Sequence, residues 1–143
     1  MSDKDCVIRS ADLGELDRVL DVWLAAGAAP TITDDVAALE ALLARDGEAL
    51  IVAESDGAVV GTLIAAWDGW RGNMYRLAVR PEHRRRGVAR DLVAEGQRRL
   101  RAHGCRRITA LVLGDEKHAV EFWTAAGYEV QPEMDRFRTN LDD

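Results

Sequence analysis

Residues 73–102 read NMYRLAVRPEHRRRGVARDLVAEGQRRLRA, and this stretch decides the fold. Met74 to Val79 is a strand, six residues with aromatic and branched side chains. Arg80-Pro81 stops it, because Pro81 has no ladder donor and pushes Arg80 towards extended geometry. Apolar residues then resume at helical spacing, at Val88, Leu92, Val93, Gly96 and Leu100, so a long helix begins near Gly87-Val88. Between strand and helix lies Arg84-Arg85-Arg86-Gly87-Val88-Ala89. A helix N-terminus offers unpaired N–H groups and the positive end of the dipole, so a glycine turn there suits an anion. Three arginines in front of it add the charge a phosphate would need. A phosphorylated ligand is expected to dock here.

The chain has 143 residues, enough for one domain spanning 1–143 with a real core. Its net charge of -6 conceals an asymmetry. Residues 71–107 carry 12 of the 19 basic residues and three acids, Glu82, Asp91 and Glu95; that segment is +9 and the remainder -15. Such a local basic patch suits a compact anion better than a long polyanion, which the rest would repel, so nucleic acid is not the expected partner. No apolar run approaches the roughly 20 residues of a membrane span, and the opening MSDKDC lacks signal-peptide character. Cys6 and Cys105 stand far apart without metal-like spacing, which reads as a reduced, cytoplasmic protein with packed thiols. His83, His103 and His118 are scattered, so no metal site is expected.

Taken in order, Val7 to Arg9 is a first strand, and Ser10 or Asp12 caps a helix, Asp12 and Glu15 being in capping-box spacing. Leu13, Leu16, Leu20, Trp23 and Leu24 mark its apolar face. Thr33 caps a second helix with Val36, Leu39, Leu42 and Leu43 as its stripe. Ala49–Glu54 and Val59–Trp67 form a hairpin about Asp56-Gly57. Beyond the long helix, His103-Gly104 is a stop, and Ile108 to Leu113 reads as a strand buried on both faces. Asp115-Glu116 opens a helix through Ala119, Phe122 and Trp123, ended by Gly127; Tyr128–Val130 and Met134–Arg138 read as two closing strands.

This order, with the basic loop, resembles the GNAT superfamily of N-acetyltransferases. The sharpest match is the pattern Arg/Gln-x-x-Gly-x-Gly/Ala, here Arg84-Arg85-Arg86-Gly87-Val88-Ala89, preceded by Leu77-Ala78-Val79 and Pro81. A second is Ala119-Val120-Glu121-Phe122-Trp123-Thr124-Ala125-Ala126-Gly127-Tyr128, similar to the family's Ala-x-x-Phe-Tyr-x-x-x-Gly-Phe helix. The chain is similar to short bacterial single-domain members related to ribosomal-protein alanine acetyltransferases. The resemblance implies an α/β fold with a mixed, mainly antiparallel sheet of about seven strands. Helices cover both faces, and the sheet splays in a V after strand 4.

It also implies acetyl-CoA as co-substrate and an amine acceptor, in a family that often forms homodimers. Leu77, Ala78 and Val79 would meet the pantetheine arm, and Leu77 N–H (or its neighbour Ala78) would polarise the thioester carbonyl. Arg84, Arg85, Arg86, Gly87, Val88, Ala89 and Arg90 would cradle the pyrophosphate. Glu116, Ala119 and Trp123 complete the implied CoA contacts. The expected reaction is direct acetyl transfer in a ternary complex to a primary amine, on a small molecule or a protein N-terminus.

The sequence departs from the family at its reactive side chains. Trp123 occupies the place of the tyrosine that protonates the leaving thiolate, and an indole N–H cannot release a proton near neutrality. Asn73 and Leu111 stand where relatives carry a carboxylate base. Tyr75 on the strand itself, Asp68 at the hairpin or an ordered water remain as candidate bases. Trp23, Trp67, Asp68 and Trp70 are candidate substrate contacts, the last three on a turn like the Tyr-Asp-Gly-His-Arg-Gly hairpin of one branch of the family. Asp34 and Asp35 could meet a cationic amine. The competing reading is an acyl-CoA-binding module with little or no catalysis.

Overall fold

The structure, a computed structural model, describes residues 6–112 and 117–141. The backbone divides into two compact units after Leu111. The first holds β1 (Cys6–Ser10), α1 (Leu16–Ala25), α2 (Val36–Arg45), β2 (Leu50–Ser55), β3 (Ala58–Trp67), β4 (Gly72–Val79), α3 (Val88–Ala102) and β5 (Ile108–Ala110). Short 3-10 turns at Leu13–Glu15 and Pro81–His83 lead into α1 and follow β4. The second unit contains α4 (Lys117–Ala125), closed by Gly127.

The sheet has five strands in the order β1-β2-β3-β4-β5, antiparallel except for the β4–β5 pair. The sheet places α1 and α2 on one face and α3 on the other. On the α1–α2 face Leu16, Val19, Val22, Trp23 and Leu39 pack with Leu50, Val52 and Val59. On the other, α3 buries Val88, Leu92, Val93, Gly96 and Leu100, the five positions its spacing marks. Each large side chain so buried contributes about 1.5–3 kcal/mol. Gly96 sets how close α3 can lie: a Cβ there would stand 2.9 Å from Met74 Cε and 3.0 Å from Leu63 Cδ2. Asp56 and Gly57, at φ 51° and 79°, form the two-residue hairpin turn expected between β2 and β3.

Several expectations need correction. The sheet has five strands among the described residues, because residues 128–130 and 134–138 adopt no ladder. Strand β5 covers only Ile108–Ala110, and Thr109 is exposed, so it is not buried on both faces. Leu113, Asp115 and Glu116 lie outside the described residues. The cap of α2 is Asp35, whose carboxylate accepts from Ala38 N–H at 2.8 Å, not Thr33. Leu13 and Leu24 are exposed. Leu13 precedes α1 in a 3-10 turn, which rotates it off the face that Leu16, Val19, Val22 and Trp23 bury.

Candidate functional site

The site is built on β4. Over its first half β4 is covered by β5: Gly72, Asn73 and Met74 pair with Ile108, Thr109 and Ala110, and Leu111 N–H donates to Met74 O at 3.1 Å. The pairing ends there. The other side of β4 stays on β3 to its end, where Arg80 N–H donates to Val60 O at 2.8 Å. Bonded and non-bonded pairs alternate along an antiparallel ladder. Ala78, opposite Thr62, therefore turns its polar groups to β3, while Leu77 and Val79 turn theirs to the edge that β5 has left. Among the described residues the β4–β5 ladder ends at Met74 and Ala110.

A β-bulge sits at the parting point. Tyr75 pairs with Ile64 but Ala78 with Thr62, so two residues, Arg76 and Leu77, face one. The extra residue changes which side chains share a face. Met74 lies under Gly96 of α3, whereas Tyr75 faces the α1–α2 side with its partner Ile64 and Ala78 packs on that side again. Arg76 holds φ at 53°, inside the left-handed region. Its carbonyl accepts from Thr62 Oγ1 at 2.9 Å, and Thr62 Oγ1 accepts from Trp23 Nε1 at 2.8 Å. Its guanidinium lies 5.0 Å from the centre of the Trp23 ring and pairs with the Asp34 carboxylate.

Past Val79, the 3-10 turn brings the chain round to Arg84, Arg85 and Arg86, all exposed. Arg85 and Gly87 adopt positive φ, 64° and 82°. Two left-handed residues separated by one turn the backbone into a concave loop at the mouth of α3. The helix ladder opens with Asp91 N–H on Gly87 O at 3.0 Å, so Val88 and Ala89 present their N–H groups at the positive helix end. The 15-residue α3 supplies a full dipole. Among the described residues, the stretch of β4 beyond β5 and the loop before α3 are thus consecutive along the chain.

The structure brings Leu77, Ala78, Val79 and the Arg84–Arg90 loop together, and sets the hairpin residues apart. Trp67, Asp68 and Trp70 lie at the start of β4, where β5 still covers it. Gly72 to Val79 spans about 23 Å of extended chain. Asp68 closes its own turn, accepting from Trp70 N–H at 2.8 Å and Arg71 N–H at 2.7 Å; these bonds hold its carboxyl below the usual range. Trp67 stacks on His103 with centroids 5.8 Å apart, and Arg71 covers the exposed Trp70 ring at 3.9 Å. Together with Arg106 and Arg107 they line an open groove of about 590 Å³.

Trp23 is 4 % exposed, and its indole donor is taken by Thr62. Asp34 is taken by Arg76 and by Thr31 N–H, and Asp35 by its cap, so neither offers an unengaged carboxylate to a cationic amine. Tyr75 is half-buried. In the second unit Ala119 and Trp123 lie on α4, with Trp123 edge-on to Tyr128 at 4.8 Å and to Phe122 at 5.5 Å. Glu116 is outside the described residues. No cluster of potential metal ligands occurs among the described residues. Arg76 and Thr62 carry no motif, and only the β3–β4 register exposes them.

Comparison with known proteins bears on this geometry. The profile of the acetyltransferase (GNAT) family matches residues 16–128. An acetyltransferase of Sodalis glossinidius is 32 % identical over 117 residues, 82 % of either chain. One of Yersinia enterocolitica is 31 % identical over 124 residues, 87 % of this chain and 88 % of that one. Among solved structures, Ard1 from Thermoplasma volcanium has a TM-score of 0.80 at 19 % identity, covering 89 % of this chain and 84 % of that one. An aminoglycoside N-acetyltransferase in complex with CoA has a TM-score of 0.74 at 21 % identity, covering 95 % of each. These two likenesses establish the fold.

Proposed function

Because the chain belongs to the acetyltransferase (GNAT) family, we propose that it transfers the acetyl group of acetyl-CoA to a primary amine by direct attack in a ternary complex. The acceptor is a small molecule or a protein N-terminus. The observation that carries this reading is the stretch of β4 beyond its pairing with β5, which among the described residues runs directly into the doubly left-handed loop before α3. A strand edge pairs with amides, and the loop with phosphates, in the order in which CoA carries them.

Bound acetyl-CoA would supply an activated thioester. The chain's own groups do the rest. N–H groups from Arg85 to Arg90 would hold the pyrophosphate, with the guanidinium groups of Arg84 to Arg86 adding charge. Leu77 and Val79 would pair with the pantetheine amides. Leu77 N–H would donate to the thioester oxygen and stabilise the charge that develops there as the amine nitrogen attacks. The C–S bond then breaks, the sulfur leaves as thiolate, and the nitrogen loses its proton to water. A thiol pKa of about 8.5 lets the anion depart without a proton donor at Trp123. Tyr75, on the α1–α2 face beside the bulge, would meet the acceptor.

The test is to incubate the protein with acetyl-CoA and a panel of amines and follow free thiol, with CoA-dependent thermal stabilisation measured in parallel. Stabilisation together with amine-dependent thiol release is expected. Stabilisation without release on any amine would return the binding-module reading, which the absence of a carboxylate at Asn73 and Leu111 and of tyrosine at 123 favours. No stabilisation would overturn both.

A further inference from the structure

We infer that Arg76 and Thr62 are positioning residues for the acetyl-transfer step, holding the peptide between Arg76 and Leu77 so that Leu77 N–H faces the thioester. The inference rests on the role proposed above for Leu77.

The argument starts from one peptide plane. In a trans peptide the carbonyl of one residue and the N–H of the next point in opposite directions. The carbonyl of Arg76 and the N–H of Leu77 belong to the same plane. Whatever fixes the carbonyl therefore aims the N–H. Thr62 Oγ1 donates to the Arg76 carbonyl at 2.9 Å from the β3 side, which turns Leu77 N–H towards the edge β5 has left. A hydroxyl is needed here because the bulge interrupts the β3–β4 ladder between Thr62 and Ile64. Thr62 is fully buried, and its oxygen is oriented in turn by the indole N–H of Trp23 at 2.8 Å.

The conformation is also one that must be imposed. Among the described residues, three other than glycine have positive φ: Asp56, Arg76 and Arg85. Asp56 lies in a hairpin turn and Arg85 in a loop, but Arg76 lies inside the eight-residue strand β4, where extended backbone is the default. A left-handed residue persists in such a place only when its surroundings over-determine it. They do so from three elements. The guanidinium is stacked over Trp23 of α1 and paired with Asp34 in the α1–α2 connection, and the carbonyl is held by β3. Asp34 is itself fixed, accepting from Thr31 N–H at 2.8 Å and donating its own N–H to Thr31 O at 3.1 Å. The connection on the acceptor face and the N–H on the donor edge are therefore linked through one residue.

Steady-state kinetics of the full chain, with an amine found active in the panel above, test this. Thr62→Val keeps shape but removes the hydroxyl; Arg76→Gly accepts positive φ but removes the side-chain anchor. Both are expected to lower kcat at least tenfold while KM for acetyl-CoA stays within threefold, and Thr62→Ser is expected to restore kcat. A packing role alone would lower thermal stability and leave kcat of the folded enzyme unchanged; that result in both variants overturns the inference. A wild type that turns over no amine would sink the reaction assigned above. The inference is then decided by the Leu77 amide NMR resonance on adding acetyl-CoA. A shift in wild type that is lost in Thr62→Val supports it, and an equal shift, or none in either, overturns it.

Discussion

Gly87 sits at φ 82° as the residue before α3, and it shows how a single position commits the loop. A Cβ in the left-handed region costs about 1–2 kcal/mol, and the concave turn that presents the Val88 and Ala89 N–H groups depends on it. Gly87→Val is expected to lower CoA affinity at least tenfold, measured by calorimetric titration, while the circular dichroism of α3 is retained; unchanged affinity would separate the loop from CoA binding. This residue was legible in the sequence, since a glycine after three arginines and before an apolar helix has few other uses. Arg76 was not. Nothing local distinguishes it from the other arginines of the segment, because its conformation arises from the register between β3 and β4. Asp34 and Asp35 were visible as acids near a loop, but their partners, Arg76 and Ala38 N–H, are contacts that spacing alone does not assign.

At the scale of the element, α3 was read correctly because one periodic pattern decides it: Val88, Leu92, Val93, Gly96 and Leu100 are the face it buries. The glycine within that face gives a prediction whose sign runs against propensity. In an exposed helix, glycine is the residue to replace, costing about 1 kcal/mol relative to alanine. At Gly96 the space is already filled by Met74, Leu63 and Ala65, the last at 3.3 Å from an added Cβ. Gly96→Val should destabilise the protein by about 2–3 kcal/mol in urea titrations; an unchanged midpoint would mean that α3 lies farther from the sheet. Short elements were less legible. Leu13 has the right spacing for α1 but precedes it in a 3-10 turn, and Ile108–Ala110 makes a strand of three residues where the six-residue, mostly apolar run from Ile108 suggested a longer one. The stretch 128–138 has branched and aromatic side chains, yet strand propensity creates no ladder without a partner edge.

For the molecule as a whole, the charge asymmetry legible in the sequence is organised by a few carboxylates that join distant segments. Glu15 accepts from Arg9 at 2.6 and 2.9 Å, and Arg9 also reaches Glu54, so the start of α1, β1 and β2 share one guanidinium. Glu95 of α3 accepts from Arg98 and from Arg99, while Arg99 donates to Ser10 Oγ and Glu48 O, tying α3 to β1 and to the turn before β2. The hydrogen bond from Arg98, reinforced by Arg99, pulls the Glu95 carboxyl from 4.5 to about 2, and Arg9 lowers that of Glu15. A carboxylate more acidic in the folded chain than in the unfolded one makes the unfolded chain bind more protons between the two values. Its contribution is therefore complete above pH 4.5 and is lost as the pH falls towards 2. Solvent screening limits the Glu95 share to the order of 1 kcal/mol. Melting temperatures measured from pH 6 to pH 2 should fall most steeply below about pH 4.5. Glu95→Gln should lower the plateau and flatten that fall, and a variant with the wild-type slope would show that Glu95 carries none of the acid sensitivity.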